Sequence, residues 1–282
     1  MSDPTYTYTT LPGFFIQDDS DVVGSAVGAL PPRFGLLDDS PDRWAVFKAK
    51  IDELNRAGGG AVYKVFWLGR HGQGYHNVAE AKYGMEAWDA HWSKLNGDDE
   101  LVWGPDSQLT ALGETQADEA HAAWKAELPF GVPVPEKCFA SPHKRALDTW
   151  KRTFAASSPI LREEHRRVLI LESCREEYGI HTCDIRSPLI HLRSLYPPPM
   201  YDFEPDFAET DPLWQPDERE SWEHRVSRAR HVLDVAFAGY STYISITAHS
   251  GFVNGFLNVV GRPKYSLPTG GILPIVVKRT SQ

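Results

Sequence analysis

Cysteine is scarce in this 282-residue chain: Cys138, Cys174 and Cys183 are the only three, and none stands in a C-x-x-C pair. Three thiols are too few for a disulfide framework, so a reducing compartment is expected. Long apolar runs are missing too. No stretch approaches the roughly 20 residues that span a bilayer, and the start MSDPTYTYTTLPGFF lacks the basic and apolar segments of a secretory leader. The expectation is a soluble, cytoplasmic protein with no membrane partner. Basic charge is in deficit, with 29 Lys and Arg against 38 Asp and Glu and a formal net charge of −9. A nucleic-acid coat needs a basic face, so no nucleic-acid partner is expected, and any anion site must be locally basic. Internal repeats, coiled-coil heptads and low-complexity tracts are absent as well.

What is present is an alternation of strand and helix signals. Residues 1–43 are rich in Gly, Pro, Asp and Thr and read as an extended N-terminal arm laid over a domain. After Ser40-Pro41-Asp42, Trp44, Phe47, Ile51 and Leu54 fall on one helical face before Gly58-Gly59-Gly60 stops it. AVYKVFWL (61–68) is an apolar, β-branched run typical of a strand buried on both faces. Helical patterns follow at 109–128, where Thr110 is a plausible cap, at 143–154 and at 252–261. Strand patterns lie at 137–142, 166–174, 241–251 and 270–279, with Pro274 pointing to an edge or a bulge in the last. This order predicts an α/β fold over 44–282, a three-layer sandwich with a mostly parallel central sheet flanked by helices on both faces. Residues 184–220, crowded with prolines, aromatics and acids, interrupt the rhythm as an insertion, either a packed excursion or a lid.

The polar residues fall in a pattern. Arg70 and His71, Ser141 through Arg145, Glu172 through Glu177, and His249 with Ser250 all follow the carboxyl ends of predicted strands, where open α/β sheets bind ligands. FWLGRHGQGYHN (66–77) has neither dinucleotide-loop nor P-loop glycine spacing. His71 and His76 are five residues apart, not the four that set two imidazoles on one helical face, so no metal is expected, although His91, His181, Cys183 and Asp184 are also available. A nucleophilic histidine fits better. Its second ring nitrogen must be fixed by a hydrogen bond, and a phosphoryl target needs cations for its oxygens. Arg70 and Arg145 supply forked donors, His249 a second imidazole, and Asn77 an amide. The leaving oxygen needs a proton, for which Glu172, Glu176 and Glu177 are the candidates.

The blocks LGRHGQGYHN, SPHKRALDT and ITAHSG resemble, in this order, the motifs of the histidine phosphatase superfamily, in its phosphoglycerate mutase-like branch. GYHNVAEAKYG, CREEYGIHTCDIRS and DPLWQPDERE are similar to fungal and plant phosphoglycerate mutase-like proteins. The resemblance implies phosphorylation of His71, a phosphate pocket of Arg70, Arg145, His249, Asn77 and Ser250, and no cofactor. In the acid phosphatase branch an aspartate follows the second histidine. Here Ser250 stands there, so the acid is expected after the strand VLILE, with Glu176 favoured. Gln73 replaces the family's glutamate after R-H-G, which weakens a glycolytic mutase role.

The expectation is therefore a metal-independent phosphatase acting on a small phosphomonoester and binding it or inorganic phosphate. A phosphoglycerate-type mutase is the alternative, and a non-catalytic phospho-ligand scaffold is the rival of another class. Gln73 as a phosphate contact, and His181, Asp184 and Arg186 as a substrate-facing cluster or a loop-pinning network, are left open.

Overall fold

The computed structural model describes residues 6–281. Seven strands, β1 (Tyr6–Thr10), β2 (Val62–Arg70), β3 (Lys137–Ala140), β4 (Val168–Ile170), β5 (Tyr201–Phe203), β6 (Tyr243–Ala248) and β7 (Ile272–Ser281), form one sheet in the order β1-β7-β2-β6-β3-β4-β5. From β2 to β5 all pairings are parallel. β7 is antiparallel to both β2 and β1.

Helices cover the sheet and border its carboxyl edge: α1 (Arg43–Arg56), α2 (Tyr75–Tyr83), α3 (Met85–Ala90), α4 (Ala111–Glu127), α5 (Lys144–Phe154), α6 (Leu189–Leu195), α7 (Trp222–Ala238) and α8 (Ser250–Val259). Strand alternation divides the core between two faces. Val65 and Trp67 of β2 pack with Trp44 and Phe47 of α1, Trp124 of α4 and Trp150 of α5. Phe66 and Leu68 point the other way, onto Ala229 and Leu233 of α7 and Phe252 and Phe256 of α8. Both faces of β2 are thus covered, which is why Val65 through Leu68 are all apolar, while the buried Lys64 spends its ammonium on the carbonyls of Ala236, Gly239 and Ser241. Thr110 caps α4 as expected, accepting the Gly113 N–H.

Two segments differ from the sequence expectation. The N-terminal residues do more than lie over the domain: β1 is a strand of the sheet, and Phe15, Phe34 and Leu36 are buried in its core. The Phe34 ring sits 4.7 Å from Trp124 and 5.3 Å from Trp67. In the 184–220 region, α6 and β5 are ordered elements, and β5 extends the sheet edge. Pro274 lies in an interior strand, but β1 ends at Thr10 opposite Val277, so at Pro274 only the β2 side is laddered.

Candidate active site

The parallel register of β2 and β6 pairs Arg70 with Ala248, so the residues after them emerge side by side. His71 donates its backbone N–H to Ala248 O at 3.0 Å, and the His71 and His249 rings lie 5.0 Å apart. Nδ1 of His71 is 2.6 Å from the Gly72 carbonyl. A carbonyl only accepts, so Nδ1 carries the proton and Nε2 keeps its lone pair. Gly72 is required here, because a side chain at that position would strike the Gly113 backbone.

Arg145 stands in the first turn of α5 and is completely buried. It donates to Cys183 O at 2.8 Å and to Asp184 Oδ1 at 2.9 Å. Arg70 donates one bond to Leu267 O at 2.9 Å. Ser141 Oγ lies 2.7 Å from His249 Nε2. Arg70 Nε, Arg145 Nε and His249 Nδ1 are buried without a protein partner. Orphaned donors in a buried site are costly unless an acceptor meets them, and two guanidinium N–H groups beside the His71 imidazole suit an anion.

The three candidate acids separate cleanly. Glu172 is engaged by Arg186 Nε at 2.5 Å and Arg175 at 3.2 Å, away from the cavity that His71 lines. Glu177 lines the same cavity but is tied up in ion pairs, with Arg219 at 3.0 Å and with Arg225. Glu176 lines the cavity and accepts backbone N–H bonds from Gly251 at 3.1 Å and Glu177 at 3.0 Å. Any side chain at Gly251 would collide with that carboxylate. The start of α8 therefore carries His249 on one side and fixes Glu176 on the other.

The remaining expected residues divide. Asn77 Oδ1 caps α2 by accepting the Gly74 N–H at 3.0 Å, and the residue also lines the cavity. Ser250 lines the cavity at the α8 N-terminus. Gln73 faces away, its side-chain oxygen bonded to Thr110 Oγ1 at 2.8 Å. His181, Cys183 and Asp184 converge within 4.8 Å. Asp184, however, commits its oxygens to Arg145 and Arg219 at 2.9 and 3.0 Å, and burial drives the Cys183 thiol well up, so a cation there would face two guanidiniums. Arg186 holds Glu172 and the carbonyls of Ser187, Ala208 and Thr210, which makes it a loop-pinning residue.

Sequence reasoning passed over His143, fully buried with Nδ1 3.4 Å from Asp106 and its ring 5.2 Å from that of His249. Its signal was present, the histidine inside S-P-H-K-R. Glu80, Arg219 and Arg225 were also missed. All three line the cavity, whose volume is about 270 Å³. Glu80 was discoverable, since it follows Asn77 by one helical turn.

Four imidazoles share this buried cluster, and burial is the first cause holding each below the ordinary histidine value. Arg145 adds to it at His71, His76, His143 and His249, and Arg70 at His71 and His76. The unfolded chain titrates its histidines near 6.5, so below that pH it takes up protons the folded state refuses, and stability falls as pH falls. The limiting slope is ~5 kcal/mol per pH unit for four groups. Thermal denaturation between pH 6.5 and 5 should show a steep drop in Tm. A flat profile in that window would contradict the neutral cluster.

Comparison with known proteins agrees with this architecture. Residues 66–268 match the histidine phosphatase superfamily (branch 1). The chain is 38% identical to a protein of Arthroderma benhamiae named as a probable phosphoglycerate mutase, across 98% of this chain and 85% of that one. A Saccharomyces cerevisiae protein, likewise named a probable phosphoglycerate mutase, is 36% identical over 77% of this chain and 79% of its own length. A phosphoglycerate mutase-like protein of Arabidopsis thaliana is 28% identical over 71% and 75%. Among the described residues no helix is long and apolar enough to cross a membrane. With the motifs, the sheet and the relatives in agreement, the chain belongs to the histidine phosphatase superfamily, among its phosphoglycerate mutase-like members.

Proposed function

We propose that this protein is a metal-independent phosphatase that hydrolyses a small phosphomonoester through a phosphohistidine. The observation that carries the reading is His71: neutral, its Nδ1 proton held by Gly72 O, and surrounded by Arg70, Arg145 and His249. Nε2 attacks phosphorus in line, a P–N bond forms, and the P–O bond to the alcohol breaks. Glu176 gives its proton to the departing oxygen. The carboxylate then takes a proton from water, which attacks the phosphohistidine, releases inorganic phosphate and restores His71. Arg70, Arg145 and His249, with Asn77 and Ser250, would hold the phosphoryl oxygens as charge spreads over them. Three buried, unpaired thiols support a reducing, cytoplasmic setting.

The names of the relatives favour a second reading, transfer of phosphate between positions of one substrate. The two are separated by their product. Hydrolysis predicts stoichiometric inorganic phosphate from an aryl phosphate without a bisphosphate primer, unchanged by a strong chelator. Rapid quench into alkaline denaturant should trap a labelled protein in either case. Primer-dependent transfer without net phosphate release would support the mutase, loss of activity on chelation would remove the metal-free mechanism, and absence of any label would leave a non-catalytic ligand binder.

A further inference from the structure

The cavity has two chemically different ends. One holds Arg70, His71 and Arg145, with the His249 ring 5.0 Å behind that of His71. The other is walled by Glu80 on α2, Asp89 on α3, and His181, which lies 3.5 Å from Asp89. Asn77 and Glu80 are three residues apart on α2 and share its cavity face, so the wall begins one helical turn beyond the phosphate end.

Two further cations of the cavity are already engaged by carboxylates. Arg219 and Arg225 line it, but both are bound to Glu177, and Arg219 holds Asp184 as well. Glu80 has no such contact: among the described residues its carboxylate makes no ion pair or hydrogen bond, and half-burial, outweighing the attraction of the Arg70 guanidinium, raises its pKa. Asp89, exposed, is paired among the described residues with the imidazole of His181. At the opposite end, Arg145 Nε is fully buried and unpartnered, which orients a bound monoester with its phosphate there and its alcohol toward the acids.

Resting on the phosphatase reading, we propose that Glu80 and Asp89 form the leaving-group subsite and set its specificity. It takes alcohols carrying hydrogen-bond donors, hydroxyl or ammonium, and rejects those carrying a second anion. Carboxylates accept and do not donate, so a hydroxyl finds a partner there, while a carboxylate or second phosphate meets like charge, from the half-buried Glu80 and the exposed Asp89. Bisphosphates and phospho-acids are accordingly poor substrates.

Glycerol 3-phosphate and 3-phosphoglycerate test this directly, because they differ at the far carbon only in hydroxymethyl against carboxylate. Phosphoethanolamine supplies the ammonium arm. For the purified full-length protein, kcat/KM should favour glycerol 3-phosphate and phosphoethanolamine over 3-phosphoglycerate by at least about tenfold. Glu80→Gln should narrow that ratio, mainly through KM, and Glu80→Lys should reverse it. A ratio has the advantage that partial misfolding scales both substrates together. Equal or inverted preference in the wild type, or a ratio untouched by both variants, overturns the proposal. If no phosphate is released from any ester, an aryl phosphate included, the phosphatase reading fails separately. The same compounds then compete as ligands in calorimetry, where equal affinity for the carboxylate-bearing ester would overturn the subsite and weaker affinity would sustain it.

Discussion

His71→Ala is expected to lower kcat on an aryl phosphate by at least about 10⁴-fold, the scale of losing a covalent nucleophile. It should also abolish the alkali-stable label that a phosphohistidine leaves on the protein. The size of the effect follows from geometry. Nε2 of His71 is the one lone pair in the cluster whose partner nitrogen is fixed by a carbonyl. Neighbouring imidazoles cannot stand in, since His249 is already tied to Ser141 through Nε2 and acts from the other side. The fold should survive, because the strand register is set by backbone bonds of β2 and β6 that the side chain does not enter. A variant that retained more than a few per cent of activity, or still took up label, would contradict His71 as nucleophile.

Arg145→Ala carries the second large effect, on activity and stability together. Removing one donor group from a preorganised anion site costs about 10²–10³ in kcat. Its loss also strands Asp184 in a fully buried position beside Arg219 alone, and breaking one side of a buried pair costs about 3–5 kcal/mol. Arg145→Lys distinguishes the causes. A lysine restores charge but cannot fork to Cys183 O and Asp184 at once, so it should recover part of the stability and little of the rate. Urea midpoints and steady-state kinetics on the three proteins decide it. Full activity in the lysine variant would refute the bidentate role.

The strand-end positions of Arg70, His71, Arg145 and His249 were legible because parallel strands announce themselves as apolar runs, and a polar residue where such a run stops must sit at the sheet's carboxyl edge. The acid was not decidable in sequence. Glu172, Glu176 and Glu177 are separated only by partners far along the chain: Arg186 for the first, Gly251 for the second, Arg219 and Arg225 for the third. The same holds for the insertion, where Asp211 clamps Arg175 at 2.6 Å across 36 residues, a pairing that leaves no periodicity. β1 and β5 escaped notice because a polar edge strand needs apolar residues on one face at most, and β5 is three residues long. His143 was overlooked for a different reason: a histidine between a proline and a lysine reads as surface, and only the Asp106 beneath it makes burial tolerable.

The guanidinium of Arg145 is shared between two bodies of structure, the rigid sheet edge from which α5 rises and the turn Thr182–Asp184 that grips it by a carbonyl and a carboxylate. Coupling of this kind is reciprocal. Whatever loosens the turn weakens the hold on an anion, and an anion at the guanidinium tightens the turn by the same free energy. The turn's amide protons therefore report occupancy, and ligand saturation becomes visible as slowed hydrogen exchange in a loop that need not touch the ligand at all.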